Sequence, residues 1–316
     1  MRRIKKSSIL WTLISVGIYL GLTFLINFGF IKHSTQISLM TIGINVILAV
    51  SLNLILGMSG QFSLGHAGFM AIGAYSTAVV LQSVDSFAGF AIGTLIGLGL
   101  TTLFSLIIAV PTLRLKGDYL AIATLGAAEI IRSIITNLDS ITNGAAGISI
   151  TTRYTSFGLL YFSIIMCIFI IMMLNNSRFG RAWKSVREDD IAASAMGINV
   201  TKYKVIAFVI GALFASLAGS LYTGYFPFIR PDIFDFNKSV DILVIVVLGG
   251  MGSVTGSVIA AFVLGAINIL LEQYASLRMI IYALLLIGMM VLRPSGILGN
   301  YEFSFERRKK YESIED

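Results

Sequence analysis

The sequence predicts an all-α, polytopic integral membrane protein with about ten transmembrane helices. Hydrophobic residues make up 56% of the 316 residues and charged residues only 12%, about half the charged share of a soluble domain. The apolar residues are gathered into successive runs that approach the roughly 20 residues needed to cross a bilayer. Since the polar segments between these runs are too short to bury a core, residues 1–316 are expected to form a single transmembrane domain.

Ten apolar runs define the predicted helices. The first follows a basic N-terminus and is too long for the hydrophobic part of a signal peptide, so we expect it to remain as a transmembrane helix. The eighth and tenth runs are short and are expected to be broken, tilted or partly buried. In order, the runs are Ile9–Phe30, Ile37–Leu56, Leu64–Leu81, Phe87–Leu113, Tyr119–Leu138, Phe157–Leu174, Val205–Tyr225, Val240–Leu248, Val254–Leu271 and Met279–Leu292.

The distribution of positive charge predicts the orientation of the chain. With ten crossings and a cytoplasmic N-terminus, most of the 23 Lys and Arg residues fall in cytoplasmic segments, as the positive-inside rule requires. These segments include a basic tail at about 293–316, so both termini are expected in the cytoplasm. The same bias explains the net charge of +7 without nucleic-acid binding.

Several common chemical sites have no candidate residues. Cys167 is the only cysteine, which excludes an intrachain disulfide. His33 and His66 are the only histidines, and no metal or cofactor is expected. The dipeptide Gly-Lys is absent, so the chain has no Walker A loop for nucleotide. Because no nucleophile–base pair is evident either, we do not expect an enzyme.

Two glycine-rich segments resemble each other. Leu56–Gly60 (LGMSG) and Leu248–Gly252 (LGGMG) each join an inward-going apolar run to an outward-going one. Glycine-interrupted segments in matching positions are typical of transporters, in which broken helices line the pathway. The match is short, and chance in a glycine-rich membrane protein is the alternative.

Polar residues in or beside the apolar runs are candidates for lining or gating a pathway, because they are costly to keep in a membrane. These candidates are Gln61, His66, Glu129, Arg132 and Asp241. Glu129 and Arg132 are three residues apart, so on a helix they are neighbours that can pair. Such a pair either locks helices together or lines the pathway. His66 is either a hydrogen-bonded packing residue or a proton relay.

The longest soluble-looking segment is Ser177–Gly197 (SRFGRAWKSVREDDIAASAMG). Ser185 followed by Glu188 fits a capping box at the start of a helix. Asp189 and Asp190 would then place negative charge in the first turn, where the helix dipole favours it. The segment therefore predicts a short surface helix that a soluble partner could grip.

The expected end of this helix is equally well marked. Gly197 stands where a left-handed C-cap is expected, and Asn199 or Thr201 can cap a following helix. These signals predict one helix over Val186–Met196, about 16 Å long at 1.5 Å per residue.

Longer stretches of the chain resemble a known family. They are LNLILGMSGQFSLGHAGFMAIGAY (Leu52–Tyr75), LRLKGDYLAIATLGAAEIIR (Leu113–Arg132), FGRAWKSVREDDIAASAMGINVTKYKVIAF (Phe179–Phe208), LGGMGSVTGSVIAAFVLGA (Leu248–Ala266) and LRPSGILG (Leu292–Gly299). Together they resemble the LivM-type permeases of ABC importers for branched-chain amino acids, in order and over nearly the whole chain. Permeases for urea or short-chain amides are similar, so the resemblance is less specific for the solute.

The resemblance implies an ABC importer permease fold that forms half of a pore in the cytoplasmic membrane. It also implies a second, LivH-type permease, two cytoplasmic ATPases that hydrolyse the ATP, and an extracytoplasmic solute-binding protein. The segment at about 177–200 then resembles the coupling helix that docks on an ATPase. Its candidate contacts are Arg187, Glu188, Asp189, Asp190, Ala192, Ala193 and Gly197. Ile191 stands where the family loop Glu-Ala-Ala-x-x-x-Gly has its glutamate, so the role carries over better than the salt bridges do.

A different class of protein, an ion-coupled secondary transporter, is the alternative. It would use His66, Glu129, Arg132 and Asp241 as its relay. It predicts uptake by this chain alone, driven by an ion gradient and indifferent to ATP. A permease subunit would instead need its ATPases and binding protein.

Overall fold

The computed structural model describes residues 32–115 and 117–270, together with residues 17, 21, 23, 284, 287, 288 and 296. Two of the predicted helices, Ile9–Phe30 and Met279–Leu292, lie almost entirely outside the described residues. So does the basic tail at 293–316.

Within residues 32–270 the chain forms eleven α-helices and two very short strands. The helices are α1 His33–Asn53, α2 His66–Ser83, α3 Phe87–Thr112, α4 Asp118–Asn137, α5 Asp139–Thr142, α6 Phe157–Asn175, α7 Arg178–Glu188, α8 Asp190–Ala195, α9 Val200–Thr223, α10 Phe236–Gly249 and α11 Val254–Leu270. A π-helical segment, Leu54–Met58, continues α1, and 3₁₀ turns lie at Gly144–Ala146 and Pro231–Phe234. The strands β1 Ile148–Ser149 and β2 Phe228–Ile229 pair antiparallel.

Among the residues that the structure describes, five helical segments are long and apolar enough to cross a membrane. They are His33–Met58, Phe87–Thr112, Asp118–Asn137, Phe157–Asn175 and Val200–Thr223. The helix α11 is apolar but shorter, at 17 residues. These helices agree with the predicted apolar runs and support a multi-pass membrane protein, while the count of ten crossings stays a prediction.

The helix α2 lies at the centre of the fold and packs directly against α9. A Cβ atom on Gly73 would collide with the carbonyl group of Ser216, and one on Gly219 would collide with the carbonyl group of Met70. The two backbones therefore touch at these glycines. Close backbone approach is how helices gain packing energy in lipid, where burying apolar side chains against each other gives little advantage.

Hydrogen bonds between hydroxyl groups and carbonyl groups reinforce the same contact. Thr77 Oγ1 donates to Ser220 Oγ at 2.9 Å, and Ser220 Oγ lies 3.1 Å from the carbonyl oxygen of Gly73. Thr223 Oγ1 donates to the carbonyl oxygen of Ala74 at 3.0 Å. Because all three hydroxyl-bearing side chains are fully buried, these bonds fix the register of α2 against α9.

The α2–α9 contact can be tested by adding a methyl group to Gly219. We expect Gly219→Ala to lower the free energy of unfolding by about 1–3 kcal/mol, the usual cost of overpacking a well-packed site. The measurement is the unfolding midpoint in detergent. Gly99→Ala on α3 is the matched control, because a Cβ atom there has no neighbour within 4 Å. Equal midpoints for the two variants would contradict the proposed contact.

Candidate functional site

The segment predicted as one surface helix forms two short helices, α7 and α8. The predicted capping box is wrong, since Ser185 lies inside α7 rather than at its start. The N-cap of α7 is Ser177, whose Oγ accepts a hydrogen bond from the backbone N–H of Phe179 at 3.1 Å. A single helix over Val186–Met196 is therefore not formed.

The break between the two helices lies at Asp189. Its backbone is extended, with φ −157° and ψ 114°. Its Oδ1 atom accepts hydrogen bonds from the N–H groups of Ile191 at 2.8 Å and Ala192 at 3.1 Å. An aspartate side chain that caps a new helix competes with continuation of the preceding one. The sequence therefore has two possible N-cap residues in succession, Ser185 and Asp189, and Asp189 is the one that caps a helix.

The predicted end of the segment is confirmed. Gly197 has φ +82°. The N–H of Ile198 donates to the carbonyl group of Ala193 at 3.1 Å, and the N–H of Gly197 donates to that of Ser194 at 2.9 Å. This pair of bonds is a Schellman motif. Asn199 then caps α9 by accepting a hydrogen bond from a backbone N–H of its first turn at 3.0 Å.

A buried tryptophan anchors α7 on α9. Trp183 is fully buried, and its Nε1 donates to the carbonyl oxygen of Tyr203 at 2.9 Å. The ring of Phe179 contacts the rings of both Trp183 and Tyr203. The sequence prediction missed this anchor, although apolar residues at 179, 182, 183 and 186 have the spacing of one helix face. These contacts hold α7 against the first turn of α9.

Arg187, at the end of α7, is directed into the protein. Its Nη1 donates to the carbonyl oxygen of Gly57 at 2.8 Å, and its Nη2 lies 2.8 Å from a carboxylate oxygen of Glu188. Gly57 belongs to the π-helical segment that continues α1. Arg187 was predicted to contact an ATPase. In the structure it connects the segment Ser177–Gly197, called the coupling segment after its predicted role, to the π-helical end of α1.

The helix α8 and its C-cap residue, Met196, carry two large apolar side chains that are highly exposed. Ile191 is 77% exposed and Met196 is 83% exposed, whereas Ala193 is buried. Asp190 is held by an ion pair with Lys204 of α9 at 2.7 Å. Of the seven predicted docking residues, Glu188, Asp189, Ala192 and Gly197 are exposed, and the two large apolar side chains lie beside them.

An open groove of about 510 Å³ lies along α8. It is lined by Asp190, Ile191, Ser194, Ala195 and Val200. A second cavity, of about 340 Å³, lies between the coupling segment and the loops before α2 and α4, and Gln61, Arg187 and Lys204 are among its lining residues. Both cavities are therefore at the coupling segment.

The two glycine-rich segments noted in the sequence meet each other in the structure. Asn53, the last residue of α1, donates from Nδ2 to the carbonyl oxygen of Ser253 and to Ser257 Oγ, both at 2.8 Å. Its Oδ1 accepts from the N–H of Gly252 at 2.7 Å. Because a Cβ atom on Gly57 would collide with the backbone of Gly252, the end of α1 and the start of α11 form one tightly packed junction.

Gln61 and His66 lie buried near this junction rather than on an open surface. The Nε2 atom of His66 is 2.8 Å from Ser51 Oγ on α1. Gln61 donates from Nε2 to the carbonyl oxygen of Lys204 on α9 at 3.0 Å and is also bonded to Ser59. The two side chains thus join the loop before α2 to its neighbours.

The remaining candidates lie elsewhere. Glu129 and Arg132 form the predicted ion pair on α4, with Arg132 Nη2 2.7 Å from Glu129 Oε2. Asp241 is exposed on α10, where its charge acts on Lys238. His66 is thus bonded to α1, whereas Glu129 is paired within α4. Among residues 32–115 and 117–270, no three His, Cys, Asp or Glu side chains are grouped so that they could hold a metal ion.

Comparison with known proteins gives the family. A family model described as "Branched-chain amino acid transport system / permease component" matches residues 34–292. The chain belongs to this family. The resemblance seen in the sequence is thereby confirmed.

Individual relatives agree with the family match. The chain is 34% identical over 264 residues to the high-affinity branched-chain amino acid transport system permease protein LivM of Salmonella typhimurium, covering 72% of this chain and 61% of that protein. It is 33% identical to LivM of Escherichia coli, with the same coverage. It is 34% identical over 157 residues to LivH of Salmonella typhimurium, covering 49% of this chain and 50% of LivH. The chain thus spans about three-fifths of the LivM relatives, and no solved structure matches it.

The C-cap of α8 generates a local prediction. Gly197→Val places a β-branched residue at φ +82°, which costs roughly 1–2 kcal/mol, so α8 should fray while membrane insertion is unchanged. Hydrogen exchange of the amides at residues 192–198 measures this effect. Gly197→Asn is the control, since asparagine tolerates the left-handed conformation. Unchanged exchange in the valine variant would contradict the role of this cap.

Proposed function

We propose that this chain is a permease subunit of an ATP-driven ABC importer and forms half of the pathway for branched-chain amino acids across the cytoplasmic membrane. The family match and the apolar helices support this proposal. The named relatives belong to branched-chain amino acid transport systems, which supports leucine, isoleucine and valine as solutes. Ten crossings, cytoplasmic termini and a single permease domain over residues 1–316 are part of the same proposal.

The observation that carries the proposal is the coupling segment. One of its helices is anchored in the protein through Trp183, and the next presents Ile191 and Met196 to the outside. An anchored helix beside an exposed apolar one suits a docking element that transmits force. Since the chain has no Walker A motif, the energy would enter from two ATPase partners. A LivH-type permease and a solute-binding protein would complete the importer.

The contacts of the segment suggest how movement would spread. A displacement of α8 would act on α9 through the Asp190–Lys204 ion pair. It would act on the end of α1 through Arg187 and Gly57, and from there on α11 through Asn53. A π-helical segment has less regular hydrogen bonding than an α-helix and often occurs at functional sites. The end of α1 is therefore well suited to change its conformation during transport.

Reconstitution in liposomes tests the proposed class of transporter. The full chain is inserted alone or with its second permease, ATPases and binding protein, and uptake of labelled leucine is measured. We expect uptake only from the complete assembly with ATP. Uptake by the chain alone, driven by an ion gradient, would instead identify a secondary transporter. Uptake of urea or a short-chain amide without leucine would change the assigned solute.

The link between Arg187 and Gly57 generates a coupling prediction. Arg187→Met removes a hydrogen bond from a charged donor, worth about 1.5–3 kcal/mol, so ATP-driven uptake should fall about tenfold or more while ATP hydrolysis continues. Both rates are measured on the same reconstituted complex. Arg178→Met is the control, because it removes a positive charge from the opposite end of α7. Equal uptake in the two variants would remove this bond from the coupling mechanism.

A further inference from the structure

The ion pair on α4 lies near the middle of an apolar, membrane-crossing helix and yet is open to the outside of the chain. The side chain of Glu129 is 38% exposed and that of Arg132 is 36% exposed. At 1.5 Å per residue, Glu129 lies about 16 Å from the start of α4 and about 12 Å from its end. Glu129 is therefore near the middle of the helix, and Arg132 lies about 8 Å from its end.

The opposite face of α4 is fixed against α2. Leu64 donates its N–H to Thr124 Oγ1 at 3.0 Å. A Cβ atom on Gly68 would come within 2.8 Å of the backbone of Ala128, so the two helices touch there. This packing turns Gly126 and the ion pair away from the helix core, and a Cβ atom on Gly126 would have no neighbour within 4 Å.

The outward faces of other helices are different. The exposed residues of α3 within Phe87–Val110, of α6 within Phe157–Met173 and of α11 within Val258–Leu270 are apolar side chains or glycine. None of these three ranges contains a charged residue. Those faces suit contact with hydrocarbon. The exposed face of α4 instead places the ion pair, Gly126, Ser133 and Asn137 among the exposed side chains of Ile122, Ile130 and Ile134. Since charged side chains within a membrane face protein or water rather than lipid, we expect the part of this face around the ion pair to meet protein or water.

We propose that this face of α4 lines the aqueous pathway and that Glu129 and Arg132 bind the two charged groups of a zwitterionic amino acid during its passage. The proposal rests on the proposed function as an importer permease. The ammonium group of the solute would pair with Glu129, and its carboxylate group would pair with the guanidinium of Arg132.

The chemistry of the pair suits this role. Without solute, the two side chains satisfy each other across one turn of helix. A zwitterion brings one charge of each sign, so both side chains keep an opposite charge when they exchange partners. The planar guanidinium can form two parallel hydrogen bonds with a carboxylate. A neutral urea or amide offers neither charge, so the pair would discriminate between the solute classes that the sequence leaves open.

Thiol labelling tests whether the face is aqueous. The single native cysteine, Cys167, is buried and is replaced by alanine. Cysteine is then introduced at Gly126 on α4, or at Leu100 and Ile165 near the middle of α3 and α6, in the complete reconstituted importer. We expect a membrane-impermeant cationic thiosulfonate to label Gly126→Cys, with slower labelling under saturating leucine, and not Leu100→Cys or Ile165→Cys. No labelling of Gly126→Cys in a complex that transports leucine would overturn the proposal and leave the proposed function standing.

Substitution of the pair tests recognition of the zwitterion. Glu129→Gln and Arg132→Gln should each raise the KM for leucine about tenfold or more, without changing the unfolding midpoint. The exchanged pair, Glu129→Arg with Arg132→Glu, should recover part of the affinity, since both charges are again present. An unchanged KM, or a loss of uptake that follows a loss of stability, would identify the pair as structural and overturn the proposal. Absence of leucine uptake in the parent complex would instead count against the proposed function.

Discussion

Direct backbone contact at α2 is the constraint on which the rest of the structure depends. In hydrocarbon, apolar side chains gain little by leaving lipid for each other, so helix packing relies on close approach and on interhelical hydrogen bonds. Gly73 and Gly219 bring α2 onto α9, and Gly68 brings it onto α4. Through these contacts α2 positions both α9, which anchors the coupling segment through the Trp183–Tyr203 bond, and α4, which carries the exposed ion pair.

A second set of polar contacts joins the irregular ends of helices. Asn53 uses both atoms of its side-chain amide to hold the end of α1 against the start of α11. The Arg187–Gly57 bond brings the coupling segment to the same place. Regular helices are stiff, whereas the π-helical Leu54–Met58 segment is less regularly bonded. The molecule thus combines close backbone packing at its centre with one junction where the end of α1, the start of α11 and Arg187 meet.

The predictions that came closest to the structure were local ones. The pairing of Glu129 with Arg132 follows from helical spacing alone, and the left-handed conformation of Gly197 follows from its place after a short apolar helix. The membrane class and the order of most helices follow equally from the apolar runs. The prediction of a single coupling helix failed because Ser185 and Asp189 both have the chemistry of an N-cap. Which of them caps a helix depends on how α7 packs.

Contacts between residues that are far apart in the sequence could not be predicted from the spacing of residues along the chain. The direction of Arg187 depends on Gly57, 130 residues earlier. The outward position of the ion pair depends on which side of α4 meets α2. In each case an apolar or glycine-rich pattern indicates that a helix packs closely against another. It does not identify the partner helix, because many helices in this chain carry similar patterns. Local sequence thus determined the membrane class, the family and the short-range caps and pairs, while tertiary contacts determined which of these groups face the core, the coupling surface or the proposed pathway.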